Sequence, residues 1–316
     1  SDLETIAEGL SISIEAAQQY LQSARHKLFA AREQRVRPGR DEKILTSWNG
    51  LMIKGMACAG RYLGRQDFIE SAQRAVDFIH ITLYRDQRLL ATCKDGKAHL
   101  MGYLDDYAFM VDGLLELLQA EWRDQDLAFA RQLAETLLEH FEDREQGGFY
   151  FTADDHEQLF HRPKPTLDES TPSGNGVAAR TLQRLGHLIG ETRYLEAAER
   201  TLRMSWSGIN QIPYAHCALL VALEEHLTPP QLIVLRGKIA SMAPWIERCH
   251  QAYSPARLCY AIPADARELP GLLAERPAGE SDVIAYPCSG MSCQPPVTRL
   301  EELESLLKEQ TLTEPG

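Results

Sequence analysis

Residues 47–74 read SWNGLMIKGMACAGRYLGRQDFIESAQR, and residues 173–200 read SGNGVAARTLQRLGHLIGETRYLEAAER. The offset is constant, 173 − 47 = 126. Identical at that register are Ser47/Ser173, Asn49/Asn175, Gly50/Gly176, Gly60/Gly186, Gly64/Gly190, Glu70/Glu196, Ala72/Ala198 and Arg74/Arg200. Phe68/Tyr194, Ile69/Leu195 and Lys54/Arg180 are exchanges between near equivalents. An internal repeat with a helical pattern means that one supersecondary unit is used several times. A repeated helix start is a repeated position in space, so candidate site residues are sought there.

Working outward, residues 46–63 carry only Lys54 and Arg61 as charges, which predicts a helix buried almost all round. Residues 67–84 place Phe68, Ala72, Ala75, Val76 and Ile79 on one face, the pattern of an outer, amphipathic helix. The same inner-then-outer alternation continues with 105–122 and 127–141, then 173–189 and 194–206, and 214–226 starts one more inner helix. Between them, residues 88–92 closed by 94–97, and 147–152 paired with 158–161 across Asp154 and Asp155, read as β-hairpins. The repeat is then two units of about 60 residues each, with a diverged middle unit.

Residues 4–35 read as one or two polar helices, with Ser13 and Glu15 near a helix start and Arg37-Pro38-Gly39 closing the segment. Thr228-Pro229-Pro230 breaks the hairpin pattern. Beyond it, strand-like 232–235, 258–262 and 282–286 alternate with helical 239–252 and 266–273, and a helix at 300–308 follows. Alternating strands and helices predict a small parallel sheet. The expected domains are residues 1–40, a helical segment; 41–227, the hairpin repeats; and 228–316, a small α/β domain.

The chain of 316 residues is 44% hydrophobic and 25% charged, with a formal charge of -12. That balance argues against a nucleic-acid partner, since the basic stretch 32–43 is interrupted by Glu33, Asp41 and Glu42. No apolar run is long enough for a membrane span, and the first residues lack the pattern of a signal peptide, so a cytoplasmic location is expected. Seven scattered cysteines point to reduced thiols rather than a disulfide framework, with Cys58 and Cys217 inside apolar helical patterns. Glycine-rich residues 143–148 lack the Lys and Ser/Thr of a phosphate cradle, and no cofactor is expected.

Four segments in order carry a family resemblance: DEKILTSWNGLMI at 41–53, GYLDDYAF at 102–109, TPSGN at 171–175, and the tail from Tyr286-Pro287-Cys288 to Cys293-Gln294-Pro295-Pro296-Val297-Thr298. On these the chain resembles the thioredoxin-domain-containing proteins related to spermatogenesis-associated protein 20. The resemblance implies an (α/α) toroid of the six-hairpin glycosidase type behind an N-terminal thioredoxin-like domain. Neither that domain's Cys-His-Trp-Cys signature nor the first toroid hairpins have a counterpart here, so the chain looks like the C-terminal portion of a longer protein. The expected fold class is mainly α: a partial (α/α)6 toroid with a small C-terminal α/β domain. Three hairpins and one inner helix cannot close a six-hairpin ring, so the chain either forms an open arc or pairs with the remaining hairpins. An open arc would expose an apolar face and favour a homo-oligomer.

In such a toroid the loops leading into the inner helices meet at one mouth of the ring. Residues 46–49, 103–107, 168–175 and 214–216 would gather there. Aromatic faces stack on sugar rings, amides bind hydroxyls, and paired carboxylates can do acid and base work. Asp105, Asp106 and His216 are the candidate catalytic groups, and Trp48, Asn49, Tyr107, Asp168 and Asn175 the candidate substrate contacts. Each has a plainer role. Ser47, Ser173 and Asp105 suit N-caps, Trp48 and Tyr107 suit a core, and His216 suits a structural histidine. Arg162 and Lys164 suit either an anion site or a solvated loop end.

Cys288 and Cys293 are too far apart for a thioredoxin-type pair and lack partners for a metal set, so either two reduced thiols or a reversible redox disulfide is expected. Two functions follow. The first is a carbohydrate-active toroid, glycosidase-like or epimerase-like. The second is a non-catalytic scaffold or redox-linked module that works with a thioredoxin-like domain.

Overall fold

A computed structural model describes residues 2–157, 159–251, 253–279 and 281–311. The chain divides into two compact units, the first ending at Glu42 and the second beginning at Lys43. In the first unit, α1 (Leu3–Gly9) and α2 (Ile14–Glu33) start on side-chain caps, Asp2 accepting from Thr5 N–H and Ser13 from Ala16 N–H.

The second unit opens with β1 (Ile44–Leu45), α3 (Thr46–Leu63) and α4 (Gln66–Thr82). Next come β2 (Tyr84–Arg85), β3 (Arg88–Lys94) and β4 (Lys97–Met101), with β3 paired antiparallel to β1, β2 and β4. The β3–β4 turn is Asp95-Gly96, both at positive φ (51° and 73°), which matches the twist of the strands. α5 (Leu104–Ala120), α6 (Asp124–Thr136), α7 (Gly174–Ile189), α8 (Thr192–Gln211) and α9 (Cys217–Leu227) complete the helical region. α3, α5, α7 and α9 are neighbours in sequence order on the inside, and α4, α6 and α8 back them. This is the expected partial (α/α) toroid.

The repeated residues have physical reasons. Gly64 and Gly190 end α3 and α7 in the left-handed conformation (φ 63° and 78°), where a side chain would be strained. Gly50 and Gly176 let neighbouring inner helices touch: a Cβ on Gly50 would lie 2.6 Å from the backbone of Phe109, and one on Gly176 2.7 Å from Ala218. α3 buries Gly50, Ile53, Ala57 and Gly60 along one stripe, and α5 is buried nearly all round. α3 itself is not, contrary to expectation. Trp48 (63%), Met52 (62%) and Leu63 (69%) are exposed, because α5 covers only one side of it.

Past α9 the chain forms β5 (Gln231–Gly237), α10 (Ile239–His250), β6 (Arg257–Pro263), β7 (Val283–Ser289), β8 (Ser292–Cys293) and α11 (Leu300–Thr311). The sheet order is β6-β5-β7-β8. β5 alternates faces. Leu232 and Val234 join the core of the helical arc, while Ile233 and Leu235 pack with Met242 and Trp245 of α10 and Leu303 of α11.

Three local expectations are corrected. The sheet is mixed, since β6 runs parallel to β5 but β7 antiparallel. The helix expected at 266–273 is a short 3₁₀ turn, Gly271–Leu273, so no helical crossover carries the chain back to a parallel position. At 147–152 no strand forms. Gly147 and Gly148 (φ 79° and 78°) curl the chain, and Phe149 gives its backbone to the side chain of Asn175 instead of to a partner strand. Its expected partner, 158–161, includes Gln158, which lies outside the described residues, as does Ala252 of the expected helix 239–252. No helix among the described residues is long and apolar enough to cross a membrane.

Candidate functional site

Two of the expected site acids hold the frame together. Asp106 accepts from Tyr103 N–H and Ser47 N–H, each at 2.8 Å, and so ties the start of α5 to the start of α3. Burial pushes its carboxyl up to about 7, against the pull of those two backbone donors. Asp168 does the same one step along the arc, accepting from Ser173 N–H at 2.8 Å and Ala218 N–H at 2.9 Å. Both carboxylates are therefore engaged as clamps between successive inner helices.

Asn49, Tyr107 and Asn175 occupy one repeat position, since 107 − 49 = 58, 175 − 107 = 68, and 58 + 68 = 126. Each binds the backbone that leads into its helix. Asn49 donates to Leu45 O at 2.8 Å. The Tyr107 hydroxyl, fully buried, accepts from Leu89 N–H at 2.9 Å. Asn175, also fully buried, accepts from Phe149 N–H and donates to the carbonyls of Phe149 and Pro165. Tyr107 and Asn175 thus face the core, where a substrate has no access. His216 is likewise buried, its Nδ1 2.9 Å from Ile212 O and its Nε2 3.4 Å from Thr166 Oγ1. Ser173 caps Gly176 as expected, whereas α3 begins without a side-chain cap and Asp105 lies inside α5. Lys164 binds Asp143 and Gly147 O, and Arg162 binds Thr152 O, so both cations secure the loop before α7.

Asp105 differs from the others. Its Oδ1 is buried with no partner among the described residues, and burial pushes its carboxyl up to about 6. It abuts the start of α7, where Gly174 leaves the space that a Cβ would take from that oxygen.

The adjoining feature escaped the sequence reading. A cleft of about 360 Å³ lies among the inner helices near the starts of α7 and α9. Its wall includes Leu51, Val177 and Val221, and its rim Glu169, Ser170 and Thr171. On its floor Asp112 of α5, almost fully buried, meets Lys54 Nζ at 2.7 Å and Arg180 Nη2 at 2.6 and 2.9 Å. Burial alone would raise the Asp112 carboxyl, but Arg180 and Lys54 outweigh it and hold the pKa well below the usual carboxylate range. These three residues share one register too, 112 − 54 = 58 and 180 − 112 = 68, so equivalent positions on three successive inner helices converge. The usable signal was a charged residue at that register in each of three helices with few other charges. Arg180 Nε remains buried without a partner among the described residues. Asp168 and Cys217 also line the cleft, while Trp48, Asn49 and Asp105 are not among its lining residues. Cys217 is exposed, not buried as its apolar context suggested, because it begins α9 at the cleft.

His140, Asp154 and Asp155 bring three metal-type ligand atoms within 4.8 Å of one another. His140 Nδ1 already bonds Asp154 at 2.8 Å and Asp155 pairs with Arg88, so the set cross-links its loop. Cys288 and Cys293 form a disulfide across β7 and β8, the bonded one of the two states expected for this pair.

No family model matches the chain. Spermatogenesis-associated protein 20 of Homo sapiens is 31% identical over 323 residues, covering 96% of this chain and 41% of that protein. The Rattus norvegicus protein of the same name is 29% identical over the same share. The chain thus spans about two-fifths (41%) of the length of these relatives. Among solved structures, a GH76 alpha-mannanase of Bacteroides thetaiotaomicron aligns at 14% identity and TM-score 0.48, over 59% of this chain and 53% of that one. Cellobiose 2-epimerase from Bacillus thermoamylovorans aligns at 13% identity and TM-score 0.44, over 53% and 45%.

Proposed function

For a chain homologous over 96% of its length to the spermatogenesis-associated protein 20 proteins, we propose a carbohydrate-active toroid whose cleft between α3, α5, α7 and α9 seats the sugar. The carrying observation is the convergence of Lys54, Asp112 and Arg180 on the floor of a cleft with apolar walls and a polar rim. A sugar ring offers an apolar face and a ring of hydroxyls, and this lining complements both. Lys54 and Arg180 donate, Glu169 on the rim accepts, and Leu51 and Val177 take the apolar face. Asp105 is not among the residues that line this cleft, so the reading rests on binding and assigns no acid to it.

Saturation-transfer NMR with mono- and disaccharides tests the binding. A sugar signal should appear with the wild-type chain and weaken about tenfold or more in Arg180→Met and Glu169→Gln. Glu169 is exposed, so its variant keeps the fold. The reading fails if no sugar transfers saturation, or if both variants bind as the wild type does.

A second reading, a non-catalytic module working beside a thioredoxin-like domain, is favoured by one observation, the disulfide between Cys288 and Cys293.

A further inference from the structure

Cys288 and Cys293 sit opposite each other in the β7–β8 hairpin, and their bond lies under a guanidinium. Arg276 Nη2 is 3.4 Å from the Sγ of Cys288 and 3.4 Å from that of Cys293. Arg276 is only 5% exposed, its Nη1 is buried without a partner, and no carboxylate forms an ion pair with it among the described residues. Glu275 favours the charge from nearby but does not pair with it, and a buried cation without an ion-pair partner is costly. The disulfide sulfurs supply only weak acceptors, whereas a thiolate in the same place would supply the missing charge.

We propose that Cys288 and Cys293 form a thiol–disulfide exchange site for a thiol or dithiol substrate, in which Arg276 holds the departing sulfur. The two cysteines are unequal. Cys288 is buried and Cys293 exposed, so the incoming thiolate reaches Cys293. A bond forms between that sulfur and Cys293 Sγ, the Cys288–Cys293 bond breaks, and its electron pair leaves on Cys288 Sγ, which faces Arg276. A second thiolate of the substrate then attacks the mixed disulfide and releases the oxidised substrate with Cys293 as thiolate. The two protons lost by the substrate thiols are balanced by those that the two cysteine sulfurs take up from water. The substrate loses two electrons and the protein disulfide gains them. Exchange is faster when the leaving thiol has a lower pKa. The Arg276 guanidinium, 3.4 Å from Cys288 Sγ, stabilises negative charge on that sulfur as it departs. The site is independent of the cleft and of any sugar.

The test uses the native chain, glutathione as the probe, iodoacetamide quenching and peptide mass mapping. Glutathione should be trapped on Cys293 in preference to Cys288 by about tenfold or more, and the bond should reduce without denaturant. Arg276→Met should slow reduction about tenfold and move the pH midpoint of Cys288 alkylation upward, with Arg276→Lys recovering part of both. The pH midpoint separates an electrostatic role from simple packing. Should Arg276→Met fail to fold, the wild-type profile decides alone. A Cys288 midpoint below the ordinary thiol value of about 8.5 supports the site, and one at or above it overturns it. A disulfide that reduces only on unfolding, glutathione on Cys288, or a folded Arg276→Met that reduces at the wild-type rate would each overturn it as well.

Discussion

Asp105 and Asp112 lie on the same helix, 112 − 105 = 7 residues or about two turns apart, and the protein treats them in opposite ways. Burial acts on both. For Asp112 it is outweighed by Arg180 and Lys54, while for Asp105 no cation offsets it. The repeat explains the contrast. The positions equivalent to Asp112 in the flanking units are Lys54 and Arg180, and those equivalent to Asp105 are Ser47 and Ser173. What decides the state of a carboxyl here is the residue supplied at the same register by the helices on either side.

The largest test of that contrast removes the charge from the floor of the cleft. Asp112→Asn leaves two cations against each other in a largely buried site, and breaking a buried ion pair this way costs about 3–5 kcal/mol. Urea denaturation at pH 7 reads it. Because the folded pKa of Asp112 is depressed, its contribution is present above the unfolded value of about 3.9 and is lost as pH falls below that. The gap between wild type and variant should therefore narrow in acid. A loss under about 1 kcal/mol at pH 7 would mean that the triad is not the anchor of the three helices.

Asp105→Asn should act in the other direction. A carboxyl whose folded pKa is raised to about 6 is penalised once it ionises, so wild type loses stability as pH rises from about 4 through 6. The variant should gain about 1–2 kcal/mol at pH 7 and nothing below pH 4, after discounting for the part of the side chain that water reaches. A Tm series from pH 4 to pH 8 separates this from a packing change, which would not follow pH. An Asp105→Asn variant less stable at pH 7 would show that the buried oxygen has a partner the charge depends on.

The inner helices were legible in the sequence because their ends carry chemistry. Gly64 and Gly190 stop α3 and α7 where the repeat says they should, and residues 46–63 were read to the residue. The sheet was less legible. β5 and β7 have patterns that fit either direction, and only the missing crossover helix fixes them antiparallel. The candidate site was less legible still. The helix starts were legible as a cluster of polar residues, but Asp106, Asp168, Tyr107 and Asn175 hold the frame, and polar residues at a helix start look alike whether they cap or bind. Asp112 was invisible for a different reason. The middle unit reverses the charge found at Lys54 and Arg180, so a search for similarity discards the position that a search for complementarity would keep. The Cys288–Cys293 bond could not be read from spacing, because pairing depends on β7 and β8 folding back on each other.

The smallest effect probes the asymmetry within the floor. Lys54 makes one bond to Asp112 and its side chain is 32% exposed, whereas Arg180 reaches both oxygens and is 16% exposed. An ammonium that water still solvates contributes little net stability, so Lys54→Met should cost about 0.5–1 kcal/mol, and less in 1 M salt, where the exposed part of the pair is screened. Asp112 would stay ionised on Arg180 alone. If Lys54→Met instead approaches the cost of Asp112→Asn, then neither cation suffices by itself, and the three repeat units are locked as a single charge network. In that event the cleft floor would be a structural keystone first, and binding measurements on Arg180→Met would need the fold checked before a proposed sugar contact is read from them.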